Sequence, residues 1–127
     1  MTTTRIFGAL ALALCIGASA YAHHSAVGVD RSKTVTVEGV VKTFKWGNPH
    51  SWIEMEVTKD SKTELWNFEM LPPSYLIPAG WTRSTLKIGD KVKVTANGML
   101  DGTPGGIFVS ITLGDGKTLT QRAGRGQ

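Results

Sequence analysis

Three histidines carry most of the chemistry this sequence offers: His23 and His24, which are adjacent, and His50. Imidazole is the commonest biological metal ligand near neutral pH. The adjacent pair stands directly behind Ala20-Tyr21-Ala22, whose small residues at alternate positions read as a leader-peptide cleavage signal. Cleavage after Ala22 would make His23 the first residue and give it two donor nitrogens, its α-amine and its ring Nδ1. Those two nitrogens with one further imidazole compose a T-shaped, three-nitrogen site. Nitrogen-rich tetragonal sites favour Cu(II) or Ni(II), and affinity for such ligands peaks at copper. Copper is therefore the expected cofactor, with His23, His24 and His50 as the expected ligands. His50 is the geometrically easier partner for His23, because His24 must fold back. A second mode, built from the amine with the His24 amide and ring, needs no fold. The plainer reading is that two polar residues merely flank a cleavage site.

The segment before the pair supports export. Arg5 is a positive start, Ile6 to Ala18 is apolar apart from Gly8, Cys15 and Gly17, and the run is shorter than the roughly 20 residues that span a bilayer. Residues 1–22 are expected to be a signal peptide, and the protein to be periplasmic or secreted and not membrane-spanning. Cys15 is the only cysteine and follows Leu14 where a lipid-attachment signal wants a small residue, so the exported domain is expected to contain neither disulfide nor thiolate ligand. Charge decides little. Fourteen basic residues, Arg5 among them, stand against 10 acidic ones, scattered without a basic stripe. Nucleic acid is accordingly not an expected partner.

The elements that must hold the histidines are almost all strands. Lys33 to Trp46 alternates, with Val35, Val37 and Val41 on one side and Gly39 where a bent strand wants no side chain. Gly47-Asn48-Pro49 is a turn, and His50 to Thr58 a second strand with Ile53, Met55 and Val57 on one face and His50, Trp52, Glu54 and Glu56 on the other. Glu64 to Leu71 is a third strand, which Pro72-Pro73 ends. Ser74 to Ala79 suits one helical turn. Lys91 to Ala96 and Ile107 to Leu113 are the fourth and fifth strands, the last with Ile107, Val109, Ile111 and Leu113 on one face. A short further strand can follow the Gly114–Lys117 turn. Five strands with a helical insert between the third and fourth match an all-β, five-stranded OB-like barrel over residues 23–119, with 120–127 as a flexible tail. An immunoglobulin-like sandwich, with about seven strands, is the main alternative.

Four tryptophans stand out in so short a chain. Trp66 reads as core and Trp81 as a cap on a barrel end. Trp46 and Trp52 lie near His50 and are the expected ligand-binding aromatics, with Glu69 beside them if the third strand pairs with the second. Glu69 can then orient the His50 ring, or pair with a surface lysine. Met55 and Met70 read as core, and Met99, in a turn, says nothing. Gly114-Asp115-Gly116-Lys117-Thr118 is a hairpin rather than a phosphate loop, since Ile111 stands where that motif needs glycine. There is no zincin motif, no cysteine pair and no nucleophile elbow. No catalytic residue is expected. The reading is a metal-binding protein rather than an enzyme, and its alternative a metal-free module for a small ligand or a protein partner as yet unidentified.

Several of these segments resemble a bacterial family of small exported proteins of unknown function: Ala22-His23-His24-Ser25, Glu38-Gly39-Val40-Val41, Trp46-x-Asn48-Pro49-His50, Trp66-x-x-Glu69, Gly80-Trp81 and Leu86-x-x-Gly89-Asp90. The resemblance implies a periplasmic β-barrel domain and carries over no catalytic residue. One departure is Val29-Asp30, which keeps only the acid of the family's aromatic-acidic pair.

Overall fold

The structure, a computed structural model, describes residues 28–124. Positions 1–27 and 125–127 lie outside them, and with them the expected signal peptide, His23 and His24.

Six strands form one sheet: β1 (Val29–Lys45), β2 (Ser51–Lys59), β3 (Lys62–Met70), β4 (Lys91–Met99), β5 (Gly105–Thr112) and β6 (Thr118–Thr120). Their order is β3-β2-β1-β4-β5-β6, with neighbours antiparallel. A parallel pairing of β3 with β5, from Asn67 opposite Gly105 to Glu69 opposite Ile107, joins β1, β2, β3, β5 and β4 into a five-strand ring. The β2–β3 connection is a two-residue turn at Asp60 and Ser61, both with positive φ, as tight hairpins need. The short helix α1 (Pro73–Leu76) and the 3-10 turn at Ile77–Ala79 fall between β3 and β4, where a helical insert was expected.

β1 serves two partners. Thr34 to Val40 pair with β4, and Val40 to Lys45 with β2. At the handover, a Cβ on Gly39 would lie 2.2 Å from the Glu56 carbonyl oxygen. Only a residue without a side chain lets the two backbones pass so closely, which is the physical content of the bend expected at this glycine.

The inward faces of β2 and β3 follow the alternation in the sequence: Ile53, Met55, Phe68 and Met70 are all buried. β5 does not. Thr95 pairs with Ser110 and Ala96 with Phe108, so Val109 is an extra residue on one strand. That bulge shifts the phase by one position, buries Phe108 and Ile111, and leaves Val109 exposed. The expected face of Ile107, Val109, Ile111 and Leu113 is thus corrected.

Trp81 is 1 % exposed and plugs one end of the ring against Phe44 and Phe108, at ring distances of 5.9 and 5.6 Å. Its Nε1 donates to the Thr120 carbonyl at 2.7 Å. The segment from Thr120 onward, expected to be a loose tail, is tied at its start. Thr120 belongs to β6, the Leu71 amide donates to Gln121 Oε1 at 2.7 Å, and Gln121 Nε2 donates to the Phe108 carbonyl.

Candidate functional site

His50 follows the Gly47-Asn48-Pro49 turn, in which the Asn48–Pro49 bond is cis. Ser51, fully buried, ties the turn from inside: its hydroxyl accepts from the Gly47 amide at 3.3 Å and donates to the Gly47 carbonyl at 3.4 Å. Sequence reasoning passed over Ser51, because its only signal is a small polar residue at the first inward position of a strand.

The His50 Nδ1 is hydrogen-bonded to Glu69 Oε1. The two side chains differ sharply in environment, 47 % exposed for His50 and 6 % for Glu69. Glu69 sits on β3 between Trp52 of β2 and Ile107 of β5, on the outward side of the ring. An outward position is ordinarily wet. Here the loop that links β4 to β5 comes over it, and Trp52, Glu69, Met99, Thr103, Pro104 and Ile107 line a pocket of about 200 Å³. Among the described residues, Glu69 Oε2 is buried without a hydrogen-bond partner. A carboxylate on Nδ1 leaves Nε2 as the free nitrogen of His50 and fixes the ring's direction, the arrangement found behind metal-bound imidazoles.

The overlying loop is stiffened by its own turn. Asp101 Oδ1 accepts from the Thr103 amide at 3.0 Å and from the Thr103 hydroxyl at 2.7 Å. These hydrogen bonds, the amide's first, hold the Asp101 carboxyl below its ordinary 3.8. A lowered folded-state value means that the turn is intact above about 3.8 and is released as pH falls through the lowered one. The Thr103 amide resonance is expected to titrate with a midpoint below 3.8 and to lose that transition in Asp101→Asn.

Of the expected ligand-binding residues, the fold brings Trp52 and Glu69 to His50 and sends Trp46 elsewhere. Trp46 is half-buried and packs edge-on against Phe44, 5.8 Å between ring centres, with the core. Glu69 takes the orienting position expected for it, and Met55 and Met70 are core. Met99, silent in the sequence, lines the pocket. Trp66 is partly buried against the core, stacked on Phe68 at 6.0 Å. Among the described residues no three of His, Cys, Asp and Glu gather as a metal cluster, and no helix is long and apolar enough to cross a membrane.

Fold and site together define a small, mostly-β domain that presents one imidazole backed by a buried carboxylate beside a pocket. Residues 11–108 match the model of a family described as a family of unknown function, DUF6152, and the chain belongs to that family. No curated protein and no solved structure matches it.

Proposed function

We propose that this protein is an exported, OB-like barrel that binds a metal ion, copper, through His50 and the histidines that open its mature chain, His23 and His24. The observation that carries the reading is the His50–Glu69 pair: Nδ1 on a buried carboxylate, the ring half-exposed and its Nε2 free. Two further points support it. The described chain starts at Gly28, where a Cβ would lie 3.2 Å from the Met99 methyl, and Met99 lines the pocket with Glu69. Four residues lie between His23 and Gly28, so the two are at most roughly 18 Å apart. The ring order β1-β2-β3-β5-β4 with a helical insert after β3 supports the OB-like description. The role is binding or delivery rather than turnover.

Electron paramagnetic resonance on the processed, Cu(II)-loaded protein tests the reading. Nitrogen hyperfine structure is expected, altered by His50→Ala and abolished by one extra residue before His23. Glu69→Gln should weaken copper affinity by about ten- to a hundredfold through the orientation of His50. A spectrum unchanged by His23→Ala and His50→Ala together would refute it.

A further inference from the structure

The copper reading uses the exposed edge of His50 and leaves the pocket behind it unexplained. Among the described residues, three polar side chains line it: Glu69, Asn67 and Thr103. Glu69 is 5 % exposed, and its Oε2 has no donor among the described residues. The Thr103 hydroxyl spends its proton on Asp101 Oδ1, so toward any other group it can only accept. Among the described residues no basic one lines the pocket. A buried carboxylate oxygen without a donor is costly, more so than an ordinary unpaired polar atom. Trp52, Met99 and Ile107 supply apolar walls, and an indole face attracts cations. The pocket is small, about 200 Å³, and suits a short chain better than a bulky one.

We infer that this pocket binds a primary ammonium group on a short alkyl chain, its N–H donors on Glu69 and its carbons against Trp52, Met99 and Ile107. The ammonium has two sources: a free small amine or, with no copper bound, the amino terminus of this same chain, whose first described residue, Gly28, lies beside Met99. The inference does not rest on copper, and the test is run with a chelator present so that the two readings fail separately.

The probe is butylammonium, added to the processed full-length protein while the Trp52 indole N–H resonance is followed. A saturable shift is expected with butylammonium and none with butanol, which lacks the charge, or tetramethylammonium, which lacks the donor. Glu69→Gln, nearly isosteric, should weaken binding by roughly tenfold or more, whereas Glu64→Gln, a half-exposed carboxylate paired with Lys62, should not. Trp52→Leu gives a second variant, read through a neighbouring Ile107 amide, and should also weaken binding. Acetylating the amino terminus separates the sources. Binding already present before acetylation identifies a free amine, and binding that appears only afterwards identifies the chain's own terminus as the occupant. No Glu69-dependent binding in either form, or an equal response to butanol, overturns the inference.

Discussion

Gly106→Ala is expected to destabilise the protein by about 3 kcal/mol, read as a lowered urea midpoint by tryptophan fluorescence. Two costs coincide at this residue. Its φ of 152° is one that side-chain-bearing residues rarely adopt, and a Cβ would stand 2.0 Å from the Asn97 carbonyl oxygen. Neither neighbour can retreat cheaply. Gly106 pairs with Gly98 of β4 on one side and with Phe68 of β3 on the other, so it sits at the seam that closes the ring. Moving it outward breaks one ladder, and moving it inward compresses the other. Small domains are stable by roughly 5–15 kcal/mol, so the loss is a large share of the total. Gly102→Ala is the control. It shares a positive φ, 76°, but meets nothing within 4 Å, and its cost should stay near 1 kcal/mol. Equal losses at the two positions would show that the ring seam yields and that steric closure is not what Gly106 provides.

Trp81→Ala should cost about 3–5 kcal/mol, the range for removing a fully buried aromatic side chain. Trp81 is the largest of the fully buried side chains and touches both Phe44 of β1 and Phe108 of β5. Its deletion opens a cavity where the helical insert meets the ring. It also strips the Thr120 carbonyl of its donor and so loosens β6. If the alanine variant does not fold, Trp81→Phe keeps most of the packing and loses the hydrogen bond, with an expected loss of about 1–2 kcal/mol. Thermal unfolding checks both: each kcal/mol corresponds to roughly 4–8 °C in Tm for a domain of this size. A Trp81→Ala protein as stable as the parent would mean that the plug is dispensable and the strands alone hold the ring.

Much of this architecture was legible because it is local. Alternation along β2 and β3, a proline pair ending β3 and a turn before His50 each depend on residues close in sequence. Glu69 was legible as a neighbour of His50 for the same reason: one hairpin joins their strands, so pairing alone puts them on one side. The phase of β5 was not legible. Its bulge at Val109 lies in the ladder with β4, and the strand's own alternation points to the other face. Trp46 is near His50 in sequence, and its packing, partly buried against the core and edge-on to Phe44, was not legible there.

The sequence by itself determined the strands, the helical insert and the three imidazoles available for chemistry, since each is written in residue type and short spacing. Only the tertiary structure decided that Glu69 is buried, that Oε2 lacks a partner, and that Met99 and Thr103 belong beside it. The physical reason is ring closure. The parallel β3–β5 pairing brings together segments far apart along the chain and folds the Met99–Pro104 loop over a strand face that alternation alone would leave in water. Burial of that one carboxylate is a property of the closed ring, and no local stretch of sequence contains it.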